Sequence, residues 1–182
     1  MGAVWFFVVT TVGLLSLLQS TEANGVSEIT RRDLPDAFQI FLHLEDVLAI
    51  SDADDDGLFE CVEAIRSDNR MEPKMAAYVF LFKGHHGTEK KNVTFHVRPG
   101  ATPDRIIIYF DNHTEEEFEA QYLYTDYQTC AIVKGSYEGE RCLLLVSKEM
   151  AEDVPESCLA NFADTCGVAS NLYSKELCPD DE

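Results

Sequence analysis

Carboxylates in the segment 52–63 are spaced as in a calcium-binding loop. Acidic residues stand at its first, third, fifth and twelfth positions, and these are Asp52, Asp54, Asp56 and Glu63. Calcium binds about six to eight oxygen ligands, and a glutamate at the twelfth position can supply two of them. However, no second loop of this kind follows, and the residues after Phe59 have a strand composition rather than a helical one. Calcium binding is therefore a secondary alternative.

Cysteine is the second residue type that could carry chemistry. The six cysteines are Cys61, Cys130, Cys142, Cys158, Cys166 and Cys178. An even number in an exported chain predicts three disulfides, and the sequence alone leaves every pairing open. No Cys-x-x-Cys pair occurs, and the histidines lack zinc-ligand spacing relative to the cysteines, so a zinc site is disfavoured.

Catalytic motifs are missing from the sequence. It has no Gly-x-Ser-x-Gly, His-Glu-x-x-His, P-loop or dinucleotide-binding glycine pattern. His85 and His86 are flanked by glycines, which is typical of a solvated loop rather than of a metal ligand or a general base. We therefore expect a protein that is not an enzyme and has no cofactor.

Charge restricts the partners. The 182 residues include 33 acidic and 14 basic side chains, which give a formal net charge of −19 at pH 7. Such a surface repels nucleic acids and anionic lipid head groups, so neither is expected as a partner. It is compatible with a cationic ligand, although acidic surfaces more often serve solubility.

The N-terminus predicts secretion. An apolar stretch within Met1–Ala23 ends in small and polar residues, as in a cleaved signal peptide, and no basic stop-transfer flank follows it. Residues 24–182 are then expected to form a single domain, monomeric and free of the membrane. The sequons at Asn92 and Asn112 are the predicted glycosylation sites.

Periodicity predicts the elements that would position these residues. Apolar residues at helical spacing predict a helix over 34–50, with Asp33 as its cap. A second helix is predicted over 155–166, and a return segment follows it at 171–178. Strands are predicted at 58–66, 75–83, 91–98, 104–110, 117–125, 129–134 and 141–147. Because the strands follow one another without helices, we expect a mainly β fold: a lipocalin-like, up-and-down antiparallel barrel of about eight strands with an N-terminal and a C-terminal helix. A β-sandwich is the alternative.

Several local sequences resemble one family in their order and spacing. They are Asp36-Ala37-Phe38, Phe59-Glu60-Cys61-Val62, Tyr127-Gln128-Thr129-Cys130, the helix start Val154-Pro155 with Cys158-Leu159 and Phe162, and the terminal Cys178. Together they resemble the tick salivary histamine-binding lipocalins over most of the mature chain. The resemblance implies a salivary binder that holds histamine, serotonin or a similar host mediator inside its barrel and so evades host defence. It also implies the disulfides Cys61–Cys178 and Cys130–Cys158, and with them Cys142–Cys166.

The sequence departs from its amine-binding relatives where they have polar, acidic or tryptophan side chains. At those positions it has Ile40, Leu44, Ala131 and Leu143-Leu144-Leu145. A buried ammonium group requires acidic side chains and aromatic faces, so we expect the pocket to favour a lipid mediator over a biogenic amine. The competing class is a secreted calcium-binding or host-protein-blocking module.

Aromatic and leucine side chains on the predicted strands are the candidate ligand-binding residues. They are Phe59, Tyr78, Phe80, Phe82, Tyr109, Tyr122, Tyr124, Leu143 and Leu145. Strand alternation predicts that Tyr78, Phe80 and Phe82 share one face, and that Tyr122 and Tyr124 share another.

Overall fold

The computed structural model describes residues 34–54, 56–84, 89–110, 113–168 and 170–179, and leaves out the side chains of 113–115. The predicted signal peptide, the sequon at Asn112, and His85 and His86 lie outside these residues. The other sequon residue, Asn92, is exposed on a strand.

The first helix is shorter than predicted. Helix α1 spans Ala37–His43, and its cap is Asp36, whose side chain accepts a hydrogen bond from the Phe38 N–H at 2.9 Å. Leu44 ends the helix, and strand β1 follows at Asp46–Asp52. The prediction of one helix over 34–50 is therefore wrong in its second half.

Strand β1 is apolar on both faces, which explains the error. Val47 and Ala49 pack with residues of the barrel interior, whereas Leu48 and Ile50 pack with the C-terminal helix on the outside. A strand covered on both faces shows no polar alternation, so its apolar run resembles that of a buried helix.

The next seven strands follow in the predicted order. They are β2 (Glu63–Met71), β3 (Lys74–Phe82), β4 (Lys91–Pro99), β5 (Arg105–Phe110), β6 (His113–Thr125), β7 (Cys130–Gly135) and β8 (Arg141–Ser147). The first of them begins later than the predicted 58–66, because residues 58–61 form a turn in which Cys61 has a φ of 56°. Strand β9 is short, Ser170–Asn171.

The sheet closes on itself. Neighbouring strands pair antiparallel in chain order from β2 to β8. Strand β8 then pairs with β1, and β1 pairs with β2 through Leu48 and Glu63, which closes the ring. Strand β9 adds to β1 outside this ring of eight. The predicted lipocalin-like, up-and-down barrel is confirmed, and the sandwich alternative is wrong.

The C-terminal helix covers the outside of the barrel. Helix α2 spans Glu156–Cys166, and its Cys158 and Phe162 are buried against outward side chains of β7 and β8, including Ile132 and Leu144. Within the described ranges, no helix is long and apolar enough to cross a membrane.

Three disulfides connect these elements, in the pairings that the resemblance implies. Cys130–Cys158 and Cys142–Cys166 join α2 to β7 and β8, and Cys61–Cys178 joins the turn before β2 to the C-terminal segment. Each such bridge typically stabilises a fold by about 2–4 kcal/mol.

The two ends of the barrel differ. At one end, which we call the closed end, α1 is tied to two turns: the Ala37 N–H donates to the Pro103 carbonyl at 3.0 Å, and the Asp36 N–H donates to the Tyr127 hydroxyl at 2.9 Å. The opposite end, which we call the mouth, includes residues 53–54 and 56–62 between β1 and β2 and the β7–β8 turn 136–140.

Candidate functional site

An apolar cavity of about 100 Å³ lies inside the barrel between the closed end and the mouth. Helix α1 forms its floor with Ile40 and Phe41, and the residue that follows the helix, Leu44, completes it. Among the described residues that line the cavity, Arg141 is the only one with a charged side chain. The interior therefore offers a ligand mainly carbon surface.

Six of the predicted ligand-binding residues line this cavity. They are Phe59, Tyr78, Phe80, Tyr122, Leu143 and Leu145. Alternation along β3 and β8 brings Tyr78, Phe80, Leu143 and Leu145 to the cavity, because each of these strands presents every second side chain to the interior.

The other three predicted residues lie elsewhere. Tyr109 packs on the outside against His96, with ring centroids 5.3 Å apart, while its neighbour Ile108 lines the cavity. Phe82 is buried in the mouth against Phe59, at 5.7 Å between centroids, and does not reach the cavity. Tyr124 packs with the cluster around α2.

A β-bulge explains why Tyr124 leaves the face of Tyr122. Opposite β7, Tyr122 pairs with Val133 but Tyr124 pairs with Ile132, so the register shifts by one residue between them. Such a shift reverses the direction of every following side chain. The prediction that the two tyrosines share a face is therefore wrong.

The positions at which the sequence departs from amine-binding relatives do lie at the cavity. Ile40, Leu44, Ala131, Leu143 and Leu145 all line it. Leu144 faces outward and is fully buried under α2. The apolar substitutions thus change the cavity wall itself rather than a distant part of the core.

Tyr137, on the β7–β8 turn, closes the mouth above the cavity. Its ring centroid lies 5.1 Å from that of Phe95, 5.7 Å from that of Phe118 and 5.8 Å from that of Phe110. Burial raises the pKa of its hydroxyl to about 12. Sequence reasoning missed this residue because it stands among the glycines of a predicted turn; one aromatic residue in a polar hairpin turn was the available signal.

Arg141 connects the two segments of the mouth. Its Nε donates to the Tyr137 carbonyl at 3.1 Å, and its Nη2 donates to the Glu138 carbonyl at 2.7 Å and to Asp56 at 2.6 Å. Its Nη1 lies 3.1 Å from a carboxylate oxygen of Asp54 and 3.6 Å from one of Asp52. Although its side chain is only 3% exposed, three carboxylates surround it.

The ionisation of this cluster follows from its burial and its charges. The hydrogen bond from Arg141 holds the pKa of Asp56 below its usual value. Burial raises the pKa of Asp52, whose side chain is 2% exposed, although backbone hydrogen bonds and Arg141 oppose that rise. Burial disfavours the charged form of Arg141, but Asp56 and its neighbours more than offset this and raise its pKa.

The same geometry argues against the calcium alternative. The carboxylates of Asp52, Asp54 and Asp56 surround a guanidinium group, which supplies the positive charge that calcium would bring. Glu63 lies on β2, where its carboxylate accepts a hydrogen bond from Lys148 at 2.5 Å. The four predicted ligands are therefore engaged in two separate ion-pair groups.

Two tyrosine hydroxyls reach the closed end of the cavity, and they differ in their hydrogen bonding. Tyr78 donates to the Leu44 carbonyl. Tyr122, whose ring packs on Phe41 at 5.8 Å between centroids, lines the cavity, and among the described residues none forms a hydrogen bond with its hydroxyl. Burial raises the pKa of both hydroxyls, so both stay protonated at neutral pH.

A closed eight-stranded barrel around one apolar cavity is the architecture of a lipocalin-type small-molecule binder. The sequence model of the family described as tick histamine binding protein matches residues 47–180. This chain belongs to that family.

Solved structures support the fold. The chain is similar to a protein described as AM182 in complex with serotonin, with 15% identity and a TM-score of 0.60, over 79% of this chain and 92% of that one. It is also similar to japanin from Rhipicephalus appendiculatus bound to cholesterol, with 13% identity and a TM-score of 0.53, over 75% of this chain and 95% of that one. A comparison with curated protein sequences finds no match.

Proposed function

We propose that this chain is a secreted salivary binder that sequesters a small host mediator in its barrel, and that this mediator is an apolar lipid rather than a biogenic amine. The observation that carries the proposal is the cavity wall, which is apolar apart from tyrosine hydroxyls and the paired guanidinium of Arg141. The predicted signal peptide and the three disulfides support secretion.

The energetics favour a lipid. Burying apolar ligand surface against such a wall gains about 25 cal/mol per Å². An ammonium group would have to leave water, at a cost of several kcal/mol, and no carboxylate lines the described cavity to compensate. The two similar structures contain serotonin and cholesterol, so this fold accommodates both kinds of ligand. The apolar wall of this chain supports the choice of a lipid.

Sequestration requires binding alone. The function proposed for the bound molecule is therefore retention in the cavity, with no chemical step.

Ligand uptake would require Tyr137 to move. A cavity of about 100 Å³ is smaller than the roughly 300 Å³ or more of typical small-molecule pockets. The ring of Tyr137 occupies the mouth side of this space, so its displacement would enlarge the cavity and open it to solvent.

Native mass spectrometry of protein purified from its secreting tissue tests the proposal, because a co-purifying mass identifies the ligand. Isothermal titration with leukotrienes, fatty acids, cholesterol, histamine, serotonin and calcium then measures preference. We expect lipid binding in the micromolar range or tighter and weak amine binding. Nanomolar amine binding would overturn the apolar-ligand proposal, and calcium binding without any organic ligand would favour the competing class.

A matched pair of variants on β7 locates the site. Val133 lines the cavity, whereas its neighbour Lys134 is exposed on the outside. Val133→Trp should fill the cavity and weaken lipid binding at least about tenfold, while Lys134→Trp should leave it unchanged. Equal effects of the two substitutions would place the ligand outside the barrel.

A further inference from the structure

Resting on the proposed function, we propose that the barrel selects an uncharged, mainly apolar molecule with one hydroxyl or carbonyl oxygen, such as a sterol-like or long-chain alcohol or ketone. Its oxygen hydrogen-bonds to the Tyr122 hydroxyl at the closed end.

Tyr122 supplies the anchoring group. Its side chain lines the cavity and is 6% exposed, and its hydroxyl bonds to no described residue. Buried tyrosine hydroxyls usually have a hydrogen-bond partner. Tyr78 on the facing wall meets this requirement through Leu44, which leaves Tyr122 as the hydroxyl whose partner a ligand would provide.

A neutral oxygen is the partner that fits. Because burial holds the Tyr122 pKa well above its usual value, the hydroxyl remains neutral and can both donate and accept. The side chains around it at the closed end, Phe41, Ile40 and Tyr78, carry no charge. The nearby cation Arg66 is already paired with Glu45 and donates to the Phe41 carbonyl, so a carboxylate placed there would be desolvated without a free counter-charge.

Anionic ligands also lack a site at the mouth. Arg141 is the one cation on the described cavity wall. Its Nε and Nη2 donate to two backbone carbonyls and to Asp56, while its Nη1 makes no hydrogen bond but lies 3.1 Å from a carboxylate oxygen of Asp54 and 3.6 Å from one of Asp52. Since a single positive charge faces three carboxyl groups, a fatty-acid carboxylate at this position would meet net repulsion.

Cationic ligands meet aromatic faces but no carboxylate inside the cavity. Phe59, Phe80 and Phe95 line it, and aromatic rings do attract cations. That attraction is smaller than the cost of removing an ammonium group from water, so an amine would bind more weakly than an alcohol of the same size.

A series of ten-carbon probes that differ only at one end tests this selectivity. The full mature chain is titrated with 1-decanol, 2-decanone, decanoate, decylammonium and decane at pH 7.4 by displacement of Nile red, a neutral fluorophore. We expect decanol and decanone to bind at least about tenfold more tightly than decanoate and decylammonium.

Tyr122→Phe tests the anchor, and Tyr109→Phe is its control because Tyr109 lies on the outside against His96. We expect Tyr122→Phe to weaken decanol binding about threefold to tenfold and to leave decane binding unchanged. Tyr109→Phe should change neither.

The outcomes separate this inference from the function on which it rests. If Nile red and the probes bind without head-group preference, or if decanoate binds as tightly as decanol, the inference is overturned while a lipid-binding barrel stands. Equal decanol affinities of the Tyr122→Phe and Tyr109→Phe variants would also overturn it. If the folded protein binds neither Nile red nor any probe, the proposed function itself fails. The head-group series needs only the unmodified protein, so it tests the predicted ligand selectivity even if a variant does not fold.

Discussion

The closed end and the mouth of this barrel exclude water in different ways. At the closed end, helix α1 covers the sheet with Phe41 and its neighbours, and hydrogen bonds with the hydroxyls of Tyr78 and Tyr127 help to hold the covering segment. At the mouth, Arg141 ties two segments together through carboxylates and carbonyls, and Tyr137 covers the opening. A whole helix covers the closed end, whereas a short turn that carries Tyr137 and is tied by Arg141 covers the mouth, and such a short segment can open locally. We therefore expect ligands to pass through the mouth.

Replacing Arg141 should have the largest effect. Arg141→Met leaves Asp52 buried without its counter-charge and releases the Tyr137 turn. Removal of one partner from a buried ion pair costs about 3–5 kcal/mol of unfolding free energy, measurable by urea denaturation. The control is Arg98→Met, since the exposed pair of Arg98 with Glu117 should contribute less than about 1 kcal/mol.

A second substitution sharpens this result. Adding Asp52→Asn to Arg141→Met removes the uncompensated carboxylate, so part of the lost stability should return. If the two single variants were simply additive, the buried cluster would not be the source of the effect.

Replacing Tyr137 tests whether the mouth is the opening. Tyr137→Ala removes a half-buried ring from its aromatic contacts and should cost about 2 kcal/mol of stability. Stopped-flow uptake of Nile red should become about threefold to tenfold faster because the ring no longer has to move. Unchanged uptake would indicate another route.

The two ends also differ in how far the sequence predicts them. Most strands are correctly placed because Tyr78, Phe80 and Leu143 follow a period of two and the breaks carry Gly, Pro or Asn. The mouth is not predicted, because Arg141 also binds the carboxylate of Asp56, which is 85 positions away, and no local pattern reports such a contact.

The errors have local physical causes. Strand β1 is covered on both faces and therefore lacks alternation, and the bulge in β6 turns Tyr124 away from Tyr122. A bulge adds one residue without a sequence signature here, so alternation fails from that point onward. In the acidic loop, Arg141 lies beside three of the four carboxylates that the calcium-like spacing singles out, a contact that the local sequence does not indicate.

Replacing the hydroxyl of Tyr78 tests the closed end. Tyr78→Phe deletes the hydrogen bond to the Leu44 carbonyl and should cost about 1–2 kcal/mol, since that buried acceptor loses its partner. Tyr122→Phe, compared in the absence of ligand, should change stability by less than about 0.5 kcal/mol because its hydroxyl has no described partner. Equal losses in the two variants would show that both hydroxyls support the fold.

The smallest expected effect concerns Asp46, at the start of β1. Burial, together with the nearby charge of Glu63, raises its pKa to about 6, although Lys148 opposes the rise. Between about pH 4 and pH 6 the folded chain therefore binds more protons than the unfolded chain, so this carboxyl lowers stability as the pH rises through that window.

Asp46→Asn should flatten this dependence and raise the unfolding free energy at pH 7 by less than about 1 kcal/mol, because the side chain is 38% exposed. Urea denaturation at pH 4, 5, 6 and 7 measures the change, with Glu117→Gln as an exposed control. A variant less stable than the parent at pH 7 would mean that the ion pair with Lys148, 3.7 Å away, outweighs the cost of burying the charge.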